Sequence, residues 1–368
     1  MELNPGLKKL YIISVLSLVS CEDIKVNEYV EIPFICETDI MDDEGASNVE
    51  PFIFNRLELN SIVRLPQQNE PHNAFTDLIY YCGHFFLTFR SADNHAYSKN
   101  GVINIYSRKL ENNQWDRIKT FQIRGFDLRD PHFLVSGDSL KVYFIGKKYR
   151  EEQTIESVNF VSTLDYLWSE PDIVSPIFIE AEGTTRRAWP WRMTWFDSTL
   201  YTFGYSKSTI KLFESNNGLD FRQSDSVIPF SNDANEVELT NTSSYLYGIA
   251  RRSNSIAILR SNDPANRWEL FDEIKNVRIG GPSLIFINDH EGLIGGRMQI
   301  GENPKTLSIF KYDFKGKTFT PLITLPGKGD LGYPGFTYIN NRLYVSYYKS
   351  EDEEIPSAYV YFAELELN

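Results

Sequence analysis

Short apolar runs separated by polar or glycine-containing turns fill the chain from about Phe75 onward. An apolar run, a tight turn and a second apolar run recur six times, and each unit predicts a β-hairpin. The six turns are Cys82-Gly83-His84, Gly137-Asp138-Ser139, Asp197-Ser198-Thr199, Thr242-Ser243-Ser244, Asp289-His290-Glu291-Gly292 and Asn340-Asn341-Arg342. Helical periodicity is nearly absent, so the pattern predicts an all-β protein.

A second signature follows the hairpins, in which a polar tight turn leads to an aromatic residue. These aromatics lie 47 to 53 residues apart, at Trp115, Trp168, Phe221, Trp268 and Phe319. A period of roughly 50 residues with four short strands per unit is typical of propeller blades. The sequence therefore predicts a six-bladed β-propeller. A stack of β-sandwiches is the alternative, but sandwich strands do not repeat a four-strand unit six times.

Residues 22–70 lack the repeated unit but contain a strand-like segment from Phe52 to Leu65. We expect this segment to pair with the last blade, Gly332 to Leu367, because an open propeller would expose an unpaired strand edge. The predicted organisation is a leader at 1–21, an N-terminal extension with a ring-closing strand at 22–70, and a propeller at 71–368.

The first residues predict export. Lys8 and Lys9 precede an apolar run from Leu10 to Val19, which is too short to span a bilayer. The run ends in Leu18-Val19-Ser20-Cys21, which resembles the lipobox of bacterial lipoproteins. That resemblance implies acylation of Cys21 and a lipid anchor in the outer membrane, at the cell surface or in the periplasm. An ordinary signal peptide or a buried strand is the alternative.

The composition limits the classes of molecule that the protein is expected to bind. A net charge of −13 argues against nucleic acid or an anionic membrane surface, although a local cluster of arginines can still bind an anionic sugar. Apart from Cys21, only Cys36 and Cys82 remain, and the sequence leaves open whether they pair. No element carries a spaced set of metal ligands and no loop has a calcium ligand series, so we predict no metal and no cofactor.

Polar residues are expected at one mouth of the central channel. In a four-stranded blade, the connection into strand one and the connection after strand two emerge on the same face. That face collects Asp77, Arg90, Asp93, His95, Arg129, Asp130, His132, Trp189, Trp191, Arg192, Glu236, Glu238, Arg251, Arg297, Tyr333, Tyr347 and Tyr348. Charges and aromatics are costly to cluster unless they pair or meet a ligand, which predicts a carbohydrate site. Ion pairs such as Arg129–Asp130 and packing of the two tryptophans are the alternatives.

The arrangement resembles the exo-α-sialidase family over nearly all of residues 70–368. The segment Phe89-Arg90-Ser91-Ala92-Asp93-Asn94-His95-Ala96 is similar to the family segment that supplies the acid/base carboxyl. Asn235-Glu236 resembles the motif whose Glu activates a tyrosine nucleophile, and a later Arg, here Arg251, binds the carboxylate of sialic acid. Leu293 to Arg297 resembles the strand with another carboxylate-binding Arg. Ser215 to Phe221 resembles the Asp-box turn.

The resemblance implies a retaining exo-glycosidase that removes a terminal acidic sugar from glycans. It assigns catalysis to Asp93 as acid/base, Glu236 as activator and Tyr333 as nucleophile. The expected substrate contacts are Arg90, His95, Arg129, Asp130, Trp191, Arg192, Glu238, Arg251 and Arg297. One departure is that Asn73-Ala74-Phe75-Thr76-Asp77 stands where the family has Phe/Tyr-Arg-Ile-Pro, so one carboxylate-binding arginine has no counterpart. Arg129 or Arg192 is a candidate replacement.

Three other interpretations remain open. A propeller glycosidase or lyase could act on a different sugar with paired carboxylates such as Asp130 and Glu238. A lipoprotein could capture glycans at the same mouth without chemistry. A structural propeller could bind protein partners instead. The sequence leaves the sugar, its linkage and the oligomeric state undetermined.

Overall fold

The computed structural model describes residues 24–26, 56–164, 175–180, 188–352 and 357–368. Every regular element in these ranges is a β-strand. In the same ranges, no helix has the length and apolarity needed to cross a membrane. The predicted leader with Cys21, and also Cys36 and Trp168, lie outside them. Cys82, in the turn after the first hairpin strand, is disulfide-bonded.

The strands of the described ranges form six blades around a central channel. The first two strands of the described ranges are β1 (Ile24–Val26) and β2 (Leu57–Arg64). Each joins the outer edge of a blade formed by later strands. The first three blades run outward from the channel as β3 (His72–Tyr81), β4 (His84–Ala92), β5 (Val102–Lys109) and β6 (Asp116–Ile123), then β7 (Asp127–Ser136), β8 (Ser139–Arg150), β9 (Gln153–Leu164) and β10 (Ser175–Glu180), then β11 (Trp189–Phe196), β12 (Thr199–Ser206), β13 (Thr209–Ser215) and β14 (Asp220–Gln223).

The other three blades have the same order. They are β15 (Ala234–Asn241), β16 (Leu246–Arg252), β17 (Ser255–Asp263) and β18 (Arg267–Lys275), then β19 (Val277–Phe286), β20 (Glu291–Ile300), β21 (Thr306–Asp313) and β22 (Thr318–Leu325), then β23 (Lys328–Ile339), β24 (Arg342–Ser350) and β25 (Tyr359–Leu367). Strand β2 pairs antiparallel with β25 and supplies the outermost strand of the sixth blade. Strand β1 pairs with β6 of the first. The prediction of a six-bladed, all-β propeller is confirmed.

Two of the aromatic residues that gave the period, Trp115 and Trp268, pack between neighbouring blades. Trp115 of the first blade is buried against Phe362 of the sixth, with ring centroids 5.1 Å apart. Trp268 of the fourth blade is buried 5.2 Å from Phe203 of the third. These two outer-turn aromatics therefore cover the preceding blade, and their recurrence follows from that packing.

Every innermost strand contains a bulge at the same level of the channel. The antiparallel register shifts between Ala74/Asp77, Arg129/His132, Pro190/Met193, Asn235/Val237, Gly280/Ser283 and Gly332/Gly335. In all but the third blade, a residue within the bulge has positive φ: Phe75 (61°), Asp130 (45°), Glu236 (49°), Gly281 (56°) and Tyr333 (48°). A bulge re-aims side chains that a regular ladder would direct elsewhere, so these strands present unusual residues toward one mouth.

In the bulge of the third blade, one arginine contacts all the other blades. The guanidinium of Arg192, in the third blade, lies within reach of one polar atom from each of the others: Asp77 Oδ1 (3.1 Å), His132 Nδ1 (3.4 Å), Glu238 Oε2 (3.0 Å), Ser283 Oγ (2.9 Å) and Pro334 O (2.7 Å). We call this cluster the arginine hub. Four of its members, Asp77, Arg192, Glu238 and Ser283, line a channel cavity of about 380 Å³.

The hub predicts a pH dependence of stability. Burial raises the pKa of the Glu238 carboxyl to about 7, from an ordinary value of 4.5. Folding therefore favours the protonated carboxyl, and this stabilisation is complete below pH 4.5 and is lost as the pH rises through 7. Glu238→Gln cannot ionise. Between pH 5 and pH 8, urea unfolding should show the wild type losing roughly 2 kcal/mol of stability that the variant does not lose. Parallel stabilities across that range would contradict the prediction.

Candidate active site

Tyr333 and Glu236 meet at the mouth, directly above the hub. The Tyr333 hydroxyl donates to Glu236 Oε1 over 2.8 Å, and Arg251 Nη1 donates to the same oxygen over 2.7 Å. The backbone N–H of Gly281 donates to Glu236 Oε2 over 2.9 Å. A hydroxyl, a guanidinium and an amide thus hold one buried carboxylate in place. The residues come from the fourth, fifth and sixth blades.

The local backbone explains why these side chains face each other. Glu236, Gly281 and Tyr333 all occupy bulges with positive φ. Gly281 also packs against the tyrosine, since a Cβ at that position would lie 2.5 Å from Cδ1 and 2.8 Å from Cα of Tyr333. Only glycine combines this conformation with such close contact.

The electrostatics keep the tyrosine protonated. Burial raises the pKa of Tyr333, and the Glu236 carboxylate raises it further, while Arg297 and Arg251 oppose both effects. A neutral hydroxyl that donates to a carboxylate is a nucleophile with its base already in place. The proton has a direct path to Glu236 Oε1.

Cationic side chains surround a small cavity beside this pair. The cavity has a volume of about 120 Å³ and is lined by both predicted carboxylate-binding arginines, Arg251 and Arg297. Arg278 and Lys305, both exposed, line it as well. Sequence reasoning missed these two because nothing in their spacing distinguishes them from ordinary surface residues. Guanidinium groups in this arrangement suit a carboxylate or another small anion.

Asp130 is a second carboxyl group of the mouth. It is 6% exposed and occupies the bulge of the second blade. Burial raises the pKa of Asp130 against the opposing effect of Arg129, and the charge of Glu236 raises it as well. A carboxyl that holds its proton more tightly than usual can serve as a proton donor.

Asp93 is exposed in the segment between β4 and β5. Two arginines hold this segment: Arg90 Nη1 donates to the carbonyl of Asn94 over 2.9 Å, and Arg129 Nη1 donates to the carbonyl of His95 over 3.1 Å. Asp127 pairs with both guanidiniums, through Arg90 Nε at 2.7 Å and Arg129 Nη1 at 3.2 Å. Arg90 and Arg129 therefore hold the backbone of the segment that contains Asp93.

Several predicted substrate contacts have other roles in the structure. Arg90 is fully buried and its guanidinium is occupied by Asp127 and Asn94, so it positions a segment instead of facing a ligand. Arg192 and Glu238 are buried in the arginine hub, where they contact each other over 3.0 Å instead of facing a ligand. Trp191, another expected substrate contact, is 2% exposed and packs edge-on against Tyr333, with centroids 5.7 Å apart.

Trp189 lies in a larger groove beside the mouth. The groove has a volume of about 620 Å³ and includes Lys147 and Tyr205. The Trp189 and Tyr205 rings stack with centroids 5.7 Å apart, and Lys147 Nζ lies 3.8 Å from the Trp189 ring. Burial raises the pKa of Tyr205, and the Glu236 charge adds to that effect. The groove presents an aromatic surface on which a flat apolar face of a ligand could stack.

His95 and Arg129 reach the edge of the mouth. His95 Nδ1 lies 2.6 Å from Asp330 Oδ2, a carboxylate of the strand that also carries Tyr333. The Arg129 guanidinium lies over the Phe75 ring, 4.9 Å from its centroid. Arg129 Nη1 also lies 3.2 Å from Asp127 Oδ2, a carboxylate that it shares with Arg90.

No protein-family model and no curated protein matches the sequence. Among solved structures, the fold is similar to Trypanosoma rangeli sialidase in complex with sialic acid (TM-score 0.59, 11% identity, 84% of this chain and 57% of that one). It is similar to the same sialidase with 2,3-difluorosialic acid, described as a covalent intermediate (0.56, 11%, 84% and 57%). It is also similar to the NanB sialidase of Streptococcus pneumoniae bound to 2-[(3-chlorobenzyl)ammonio]ethanesulfonate (0.59, 11%, 84% and 71%).

These comparisons establish a sialidase-like propeller. The present chain spans less than two thirds of the length of the T. rangeli sialidase. The likeness in fold agrees with the resemblance that the sequence motifs indicated.

A glycine substitution tests the packing of the catalytic pair. Gly281→Ala should be less stable than the wild type because the new methyl group meets Tyr333 and the residue has a φ of 56°. Gly301→Ala is a matched control in the same blade, with a φ of 57° and no atom within 4 Å of the added Cβ. Urea unfolding should show a loss of about 1 kcal/mol for the control. The Gly281 variant should lose about 2 kcal/mol more. Equal losses would contradict this packing.

Proposed function

We propose that the protein is a sialidase-like exo-glycosidase that removes a terminal acidic sugar from glycans with retention of configuration. The observation that carries the proposal is the 2.8 Å hydrogen bond from the Tyr333 hydroxyl to Glu236, beside a cavity lined by Arg251 and Arg297. The similarity in fold to sialidases supports it.

In the first step, Tyr333 Oη attacks the anomeric carbon of the sugar. The phenolic proton passes to Glu236 Oε1 as the carbon–oxygen bond forms. The bond to the leaving group breaks, and Asp93 protonates the departing oxygen. A neutral tyrosine suits this substrate class because a carboxylate nucleophile would be repelled by an acidic sugar, and sialidases are the known exception to the use of two carboxylates.

In the second step, water hydrolyses the glycosyl–tyrosine bond. The Asp93 carboxylate accepts a proton from the attacking water, and Glu236 returns its proton to the departing Tyr333 oxygen. Two displacements at the same carbon give net retention. The enzyme returns to its starting protonation state.

Substrate binding is assigned to the cationic cavity. Arg251 is already fixed by Glu236 at 2.7 Å, which orients its guanidinium. Arg297 lies 3.6 Å from Asp330 Oδ1, a longer and weaker pairing that leaves it able to bind an anion. Together they bind the sugar carboxylate, while the groove at Trp189 accepts the next part of the glycan.

Asp93 is assigned as proton donor because its segment is braced at the edge of the mouth and is open to an incoming leaving group. Asp130 is assigned to sugar hydroxyl groups, and its raised pKa makes it the alternative donor. The lipid anchor at Cys21 and the location in the outer membrane, at the cell surface or in the periplasm are proposed from the sequence.

The test is steady-state hydrolysis of a fluorogenic aryl α-sialoside by the wild type and two tyrosine variants. Tyr333→Phe should lower kcat at least a thousandfold, about the loss seen when a nucleophile or its partners are removed. Tyr338→Phe removes a hydroxyl that donates to Asn341 at an exposed turn, and this control should keep full activity. Full turnover by Tyr333→Phe would refute the mechanism.

Two additions to the same assay decide between the remaining possibilities. Asp93→Asn should lose most activity on substrates with poor leaving groups, whereas a loss confined to Asp130→Asn would transfer the donor role to Asp130. Hydrolysis of other glycosides without sialoside turnover would indicate a propeller glycosidase for a different sugar. Saturable glycan binding without product would indicate a glycan-binding protein.

A further inference from the structure

Three side chains from distant parts of the sequence meet at the edge of the mouth. His72 begins β3, His95 lies in the segment after β4, and Asp330 lies in β23 of the sixth blade. Their nearest atoms form a small triangle: His72 Nε2 to Asp330 Oδ2 is 2.9 Å, His95 Nδ1 to Asp330 Oδ2 is 2.6 Å, and the two nitrogens are 3.2 Å apart.

From this triangle we infer that His72, His95 and Asp330 form a binding site for a divalent transition-metal ion. Two imidazole nitrogens and a carboxylate oxygen are typical ligands of zinc and of related first-row metals. The inference concerns a site outside the catalytic pair and does not depend on the proposed glycosidase activity.

The spacing of the three atoms suits such an ion. Bonds of about 2.0–2.2 Å to a tetrahedral zinc ion place neighbouring ligand atoms roughly 3.3 Å apart. The observed separations of 2.6 to 3.2 Å need only a small expansion to match. All three ligand atoms lie within 4.8 Å of one another.

The surroundings hold the ligands in this orientation. His72 is 2% exposed, and its ring lies 6.3 Å from that of Tyr348. The Tyr348 hydroxyl donates to Asp330 Oδ1 over 3.2 Å, which directs Oδ2 toward the histidines. Arg129 donates to the carbonyl of His95 and so holds its backbone. Partners of this kind orient metal ligands and strengthen binding.

The site also has an open side. The His95 side chain is 51% exposed, so a water molecule or a ligand oxygen could take the fourth position. An ion there would neutralise the Asp330 carboxylate and so weaken its attraction to Arg297, whose Nη1 lies 3.6 Å from Asp330 Oδ1. The bound ion would add positive charge beside the cationic cavity.

The test is calorimetric titration of the full-length, tag-free protein with ZnCl₂ after removal of metals with EDTA. We expect one zinc ion per chain with a Kd in the micromolar range or tighter. His95→Ala and Asp330→Asn should each weaken binding at least tenfold. His290→Ala, at the turn between β19 and β20, is the matched control and should bind zinc like the wild type.

Zinc-edge X-ray absorption of the complex should show two nitrogen ligands and oxygen at about 2.0–2.2 Å. Thermal melts of the variants identify any that fail to fold, and His95→Ala is the decisive one because its side chain is half exposed. No binding by folded wild type at 100 µM zinc, or equal binding by His95→Ala, would overturn the inference. The triangle would then be a hydrogen-bonded cluster only.

Discussion

The six blades meet at one buried guanidinium. Arg192 pairs with Asp77 and Glu238, and it also bonds to polar atoms of the second, fifth and sixth blades. Loss of one partner from a buried ion pair leaves an uncompensated charge, which is far more costly than loss of a surface pair. The hub therefore couples the blades where they come closest, just below the mouth. The positions of Glu236 and Tyr333, which belong to different blades, depend on that coupling.

Bulges in the innermost strands of this repetitive fold bring polar side chains of several blades together. A regular ladder would alternate side chains between the two faces of each blade, whereas the bulges direct Asp130, Glu236 and Tyr333 toward one opening. Non-glycine residues at positive φ are strained, and such strain persists where surrounding contacts fix it. Here the contacts are the hydrogen bonds to Glu236 and the close packing of Gly281 on Tyr333. The bulges therefore account both for the local backbone strain and for the contact between Glu236 and Tyr333.

The sequence predicted the blades well because their signals are local. Turn residues and an aromatic such as Trp115 or Trp268 recur in every unit for packing reasons that act over short distances. The contact between Glu236 and Tyr333 was foreseen only through ordered motifs of a resembling family. The sequence did not reveal which arginines face a ligand, since Arg90 and Arg192 differ from Arg297 only in which carboxylates fold against them. The cluster at Asp330 was missed because it joins residues 258 positions apart, across the closure of the ring.

The proposed mechanism requires Tyr333 to form a covalent bond with the sugar. Peptide mass spectrometry can detect that bond after incubation with a 2,3-difluoro sialic acid derivative, in which fluorine slows hydrolysis of a glycosyl–enzyme intermediate. One sugar adduct per chain is expected, on the peptide that contains Tyr333, and no adduct on the Tyr333→Phe variant. An adduct on Glu236 or on another carboxylate, or sialoside turnover without any trapped intermediate, would contradict the proposed mechanism.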